Sequence, residues 1–132
     1  MDLVSIRIIT DSLDEMVEFY ENVTGVVADR LAPVFAELRF PSCTLAIGHT
    51  STAALFNNAA LPARNQSAIV EWVVDDVDAK YERLKLIVGE GEQEPTLMPW
   101  GNRSILFRDP DGNLINLFTP GTDDAIKRFR GE

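Results

Sequence analysis

The residues of this chain with the means to act on a small molecule are few, and they are scattered: Arg7, Glu37, Cys43, His49, Glu71 and Asn116. His49 is the only histidine. With Glu37 and Glu71 it would make a donor set of one imidazole and two carboxylates, which can hold a divalent ion. Alone, it would serve as a general base near neutral pH or stand at a rim or loop end. Arg7, Glu37 and Glu71 read two ways, as polar groups that orient a ligand in an apolar groove or as ion pairs at a sheet rim or dimer contact. Cys43 is the only cysteine, which excludes an intrachain disulfide and a cysteine-rich zinc site. Inside a strand-like run it reads as a small buried apolar residue. Asn116 is the odd member. It interrupts LINLFTP where an alkyl side chain would bury more cheaply, so it must hydrogen-bond either a ligand or neighbouring backbone. Trp100, Phe35 and Phe118 are each suited to wall a flat ligand or to fill a packing seam.

The bulk composition narrows the partners. The chain has 132 residues, 45% of them hydrophobic, enough for one globular domain or two small modules with a common core. Its 21 acidic and 12 basic residues leave a net charge of -9, which repels phosphate backbones and anionic lipid. Nucleic acid and membrane are therefore not expected partners. No stretch reaches the roughly 20 apolar residues of a spanning helix, and MDLVSIRIIT lacks the features of a signal peptide, so a cytoplasmic protein is expected. A Gly-rich phosphate loop, a GxSxG elbow and a basic aromatic strip are all missing, so nucleotide and nucleophilic chemistry have no support.

What must position these residues is a repeat. SIRIITDSLDEMVEFYENVTG, residues 5–25, lies without a gap over IVEWVVDDVDAKYERLKLIVG, residues 69–89, at an offset of 64. Each copy opens with period-two, β-branched sequence and then changes to a period near 3.6, which reads as strand then helix. The first helix is capped by Asp11 or Ser12, carries Leu13, Met16, Val17 and Tyr20 as its stripe, and stops at Gly25. The second is capped by Asp75 or Asp76, carries Val77, Tyr81, Leu84 and Ile87 or Val88, and stops at Gly89. Two hairpins follow at matching places, residues 34–48 and 103–118, with Pro41 over Pro110 and one residue inserted in the later turn. Strands near residues 26–31 and 93–98 complete the order βαβββ in each copy. The modules span residues 3–49 and 68–120, joined by a small-residue and polar link at 50–67 and followed by a short helix over 121–132.

Strand alternation sorts the side chains into faces. Val4, Ile6 and Ile8, with Val70, Trp72 and Val74, are the more continuously apolar set and suit the helix side. The other face carries Ser5, Arg7 and Ile9; Leu45, Ile47 and His49; Ile69, Glu71 and Val73; and Leu114, Asn116 and Phe118. One βαβββ unit leaves one sheet face bare. Two units, in one chain or across a dimer, can cover each other and enclose a groove.

FRDPDGNLINLFTP, WVVDDVDAKYERL, ITDSLDEMVEFYENVTG and PWGNRSILF, in this order on this repeat, resemble the vicinal oxygen chelate superfamily, also called the glyoxalase/bleomycin resistance protein/extradiol dioxygenase superfamily. The resemblance runs over roughly residues 4–120 and implies an α+β fold of two βαβββ modules whose curved mixed sheets enclose a groove. Members with metal chemistry hold a divalent ion by four strand positions, two per module, usually His and Glu. Those positions fall here on Ser5, Ile69, Asn116 and Ile47, or Ala46 if the first hairpin is gapped differently. None is a good donor, so no metal and no cofactor are expected. Asn116 stands where the resemblance implies a glutamate.

The expected function is therefore a metal-independent small-molecule binding protein, in a homodimer, with a ligand groove drawn from Ser5, Arg7, Phe35, Glu37, Ile47, His49, Ile69, Glu71, Trp100, Asn116 and Phe118. The alternative is a lyase, isomerase or dioxygenase with a non-standard metal or acid–base site. A third reading is an interaction module whose groove is packed shut.

Overall fold

The structure is a computed structural model that describes residues 1–130. The last two residues of the helix expected over 121–132 lie outside the described residues. The chain divides after Arg64 into two compact units, each with the order βαβββ. In the first, β1 (Ser5–Thr10), α1 (Leu13–Thr24), β2 (Asp29–Ala32), β3 (Phe35–Arg39) and β4 (Thr44–His49) build a sheet in the order β1-β4-β3-β2, with β1 parallel to β4 and the other pairs antiparallel. In the second, β5 (Ile69–Val73), α2 (Val77–Val88), β6 (Gln93–Leu97), β7 (Asn102–Arg108) and β8 (Leu114–Pro120) repeat that topology as β5-β8-β7-β6. The expected α+β architecture of two βαβββ modules is what the chain adopts.

Each helix forms on an apolar stripe and packs it onto one sheet face. α1 buries Leu13, Met16, Val17, Tyr20 and Val23. Ser12 holds its N-cap position without a side-chain bond to the helix; the Ser12 N–H instead donates to Thr10 Oγ1 at 2.9 Å. Asp14 and Glu15 in the first turn suit the positive end of the helix dipole. α2 is capped by Asp76, whose Oδ1 accepts the Ala79 N–H at 3.1 Å, and buries Val77, Tyr81 and Leu84, whereas Ile87 stays exposed.

Register decides which strand residues meet these helices, because paired residues project to the same side. Ile6 and Ile8 pair with Leu45 and Ile47, which pair in turn with Leu38 and Ala36; Leu38, Ile47 and Ala36 are fully buried and Leu45 is nearly so. This is the helix-covered face of the first sheet. Val70, Trp72, Ile115, Leu117, Ile105 and Phe107 are its counterparts in the second. The expected faces of β1, β5 and β8 agree with this arrangement. That of β4 does not: Leu45 and Ile47 belong to the helix side, and Ala46 takes the opposite face beside Arg7 and Glu37. The reason is turn length. Residues 40–43 connect β3 to β4 and residues 109–113 connect β7 to β8, so Thr44 corresponds to Leu114 and Ala46 to Asn116. A slip of one residue exchanges the faces of a whole strand.

The later turn is held by Asp109, whose carboxylate accepts the backbone N–H of Asp111 and Asn113 and the Asn113 side-chain amide, at 2.9–3.0 Å. Arg39 and Arg103 stand at the surface and are paired. Arg39 bridges Asp29 and Glu37, and Arg103 grips Asp78 with two bonds of 2.8 Å. That grip holds the Asp78 carboxyl below its usual range.

Two measurements check this packing. In urea unfolding, Ile47→Ala is expected to cost roughly 2–5 kcal/mol as a core truncation, while Ile69→Ala, at a site 52% exposed, stays within about 0.5 kcal/mol of wild type. Because the folded-state pKa of Asp78 is depressed, its pairing stabilises the fold above the unpaired value of 3.8 and is lost as pH falls through the lower, folded value. Arg103→Gln is therefore expected to be less stable than wild type at neutral pH, with the difference closing below pH 3.8.

Candidate functional site

The faces opposite the helices carry the chemistry, and the second sheet carries most of it. Its register lines up Glu71, Asn116, Leu106 and Gln93 in one row across β5, β8, β7 and β6. The next row holds Val73, Phe118, Ser104 and Thr96, and the row on the other side holds Ile69, Leu114 and Arg108. Asn116 is buried and donates from Nδ2 to Glu71 Oε2 at 2.7 Å. An ionised carboxylate only accepts, so this bond fixes which end of the Asn116 amide faces Glu71 and turns Oδ1 away from it. Among the described residues, Asn116 Oδ1, Ser104 Oγ, Gln93 Oε1 and Asn102 Oδ1 are buried without a hydrogen-bond partner. All four residues lie on this face. Buried polar atoms are paired almost everywhere in folded proteins, so such a group on one face marks it as built for something other than stability.

A helix closes one end of that face. After β8 the chain turns into α3 (Asp123–Arg130), whose Phe129 ring meets Phe118 edge-on at 4.9 Å and whose Ala125 is fully buried. Gly101 makes this close approach workable: its φ is +94°, and a Cβ there would collide with Thr122 and Ala125. Arg128 donates to the Trp100 carbonyl at 3.0 Å, while the Trp100 ring is 56% exposed. Phe118 is thus engaged by α3 rather than free to wall a ligand.

The first sheet shows the same device. Residues 50–56, expected to begin the link, form a 3-10 helix (Thr50–Phe56) that folds back over the face opposite α1. A Cβ on Gly48 would stand 3.0 Å from Thr52 Oγ1 and 3.4 Å from Ile9, so the missing side chain is what admits the helix. The Arg7 guanidinium stacks over Phe35 at 4.3 Å and reaches Phe56 at 5.2 Å. Thr50 also hydrogen-bonds the Asp11 carboxylate. Ser5, Arg7, Ile9, Phe35, Glu37, Ala46 and Gly48 share this face by register, but Glu37 is committed to Arg39 at 2.8 Å, the ion-pair reading.

His49 ends β4 and caps the 3-10 helix: its Nδ1 accepts the Ser51 N–H at 3.0 Å. It pairs with Thr10 on the parity of Ile47, so it does not share a face with Glu37. The structure therefore makes it a loop-end histidine. Of the expected groove residues, Ile47 leaves that face and His49 serves as a cap, while Arg7 with Phe35 and Glu71 with Asn116 are brought into direct contact. Ser104, Gln93 and Leu106 were missed. They were legible in principle, because pairing outward from the DPDGN turn puts them level with Phe118 and Asn116.

The positions that a metal-holding relative would use present a hydroxyl, two alkyl groups and an amide: Ser5, Ile69, Ala46 and Asn116. Holding a divalent cation requires anionic or imidazole donors to offset its dehydration, and this set does not fit one. Among the described residues no group of three or more His, Cys, Asp or Glu side chains stands close enough to hold a metal ion.

The family model of the Glyoxalase/Bleomycin resistance protein/Dioxygenase superfamily matches residues 2–117. The chain belongs to this superfamily. No curated protein matches it. Among solved structures, a glyoxalase/bleomycin resistance protein/dioxygenase from Nocardioides is 24% identical with a TM-score of 0.74, over 93% of this chain and 85% of the other. A glyoxalase/bleomycin resistance protein/dioxygenase family enzyme from Burkholderia phytofirmans PsJN is 16% identical with a TM-score of 0.77, over 91% and 99%. A lactoylglutathione lyase from Agrobacterium tumefaciens is 19% identical with a TM-score of 0.68, over 89% and 92%. At these identities the likeness is one of fold. Among the described residues, no helix is long and apolar enough to cross a membrane.

Within this superfamily fold, the orphaned amide gives a direct stability test. Asn116→Leu removes an unpaired buried oxygen and leaves Glu71 facing solvent, so unfolding stability is expected to stay level or rise by up to about 2 kcal/mol. A clear loss of stability would instead mean that the whole amide is satisfied inside the fold.

Proposed function

We propose that this superfamily member is a small-molecule binding protein that recognises its ligand without a divalent metal. The observation that supports the reading is Asn116. At the position where a metal-holding relative would carry a carboxylate, this chain has a neutral amide whose nitrogen is tied to Glu71 and whose oxygen is left buried and unpaired. An amide in that state offers one directional acceptor to a ligand's N–H or O–H and a weak grip to a divalent metal ion. The similarity to a lactoylglutathione lyase is a likeness of fold and carries no activity to this chain. The reading includes a homodimer, supported by the apolar residues exposed on β1 and its approach, Leu3, Val4 and Ile6.

Elemental analysis of protein purified without added metal, followed by attempted loading with nickel, zinc, iron and manganese, tests the proposal. The expected result is metal content well below one ion per chain and no thermal stabilisation by any of the four. Tight loading of one ion per chain would instead favour the lyase, isomerase or dioxygenase alternative.

A further inference from the structure

We propose that the face of the second sheet opposite α2 takes a ligand bearing an ammonium or similar N–H cation on an apolar body, gripped by Glu71 and Asn116. The inference deepens the metal-independent binding reading and rests on it. Its starting point is the sign of what the row presents. Glu71 is a carboxylate and the unpaired atom of Asn116, its neighbour in the row, is an amide oxygen, so this pair presents acceptors. Asn116 is 8% exposed and Ser104, one rung along the sheet, is 1% exposed, so their free oxygens cannot be discounted as wetted surface groups.

Adjacent strands lie about 4.8 Å apart, so Glu71 and Asn116, neighbours on β5 and β8, are spaced for one small head group to reach both. The Asn116 amide cannot rotate to offer its nitrogen instead, because Glu71 would then meet an oxygen. A carboxylate, phosphate or carbonyl ligand would find acceptors facing acceptors. The cation on this face, Arg108, is already bonded to Glu92 at 3.1 Å and to the Gly112 carbonyl at 3.0 Å. Ile69 and Val73, about half exposed, flank Glu71 on the same face and supply the apolar contact for the rest of the ligand.

The test is a nitrogen–proton NMR titration of the full chain with three probes of one shape: benzylamine, benzyl alcohol and benzoate. Benzylamine is expected to shift the Asn116 side-chain amide and the backbone signals of residues 69–73 and 104, with an affinity about tenfold above the other two. Glu71→Gln keeps an oxygen that can accept from the Asn116 amide, and is expected to bring benzylamine down to the alcohol's affinity with little change in melting temperature. If benzyl alcohol or benzoate shifts the same signals equally well, or if Glu71→Gln leaves the preference intact, the cationic class is wrong while small-molecule binding stands. If no probe moves these signals, this inference falls, while the metal-independent reading is decided separately by the metal-loading test.

Discussion

A strand sends successive side chains to opposite faces of its sheet, and in a βαβββ unit one helix covers one face alone. Everything else in this chain follows from how the second face is dealt with. In both units the central-strand residues toward the helix, such as Leu38 and Ile47 in one and Ile105 and Ile115 in the other, are alkyl or aromatic and fully buried, while those on the far side mix charge, amide and small residues. Each unit then covers part of that far side with the segment following its last strand: the 3-10 helix over Arg7 and Phe35 in one, α3 over Phe118 in the other. The repeat thus extends past the two hairpins. It is carried there by position and packing, since TSTAALF and DDAIKRFR share no evident pattern.

The local order of strands and helices was open to reading because it rests on short-range physics. Period two changing to 3.6, a capping Asp and a Gly stop are all statements about neighbours in sequence, and Asp76 and Gly25 occupy those roles as expected. The face of β4 was harder. Aligning Pro41 with Pro110 leaves open which side of the turn absorbs the extra residue, and a single step there moved Ile47 from groove to core. The C-terminal helix was expected, but the 3-10 helix, and the faces that both of them cover, were harder still. What admits them is the absence of a side chain at Gly48 and Gly101, and glycine in a strand or turn is consistent with many backbone geometries.

The same logic separates the polar candidates that entered the site from those that did not. Glu37 is two residues from Arg39 on one strand face, so an ion pair between them costs no rearrangement and takes the carboxylate out of play. His49 stands where a strand gives way to a helix, where free backbone N–H groups seek an acceptor, and its Nδ1 supplies one. Glu71 differs because its strand is an edge, with exposed alkyl groups on either side along the chain. Its one bonded neighbour is an amide rather than a cation, so its charge is not neutralised there.

That last difference bears on how such a fold changes use. A carboxylate at the place of Asn116, beside Glu71, would put two negative charges on adjacent strands, an arrangement tolerable chiefly with a cation between them. An amide removes the repulsion and the need for the cation together, and turns the pair into a bonded unit with a defined outward acceptor. What it gives up is the ability to polarise a substrate oxygen. What it retains is direction, since the orientation of the Asn116 oxygen is set by its own nitrogen's partner. On the proposed reading, such a pair would discriminate by where a ligand places its donors, which is recognition chemistry and needs no turnover to be useful.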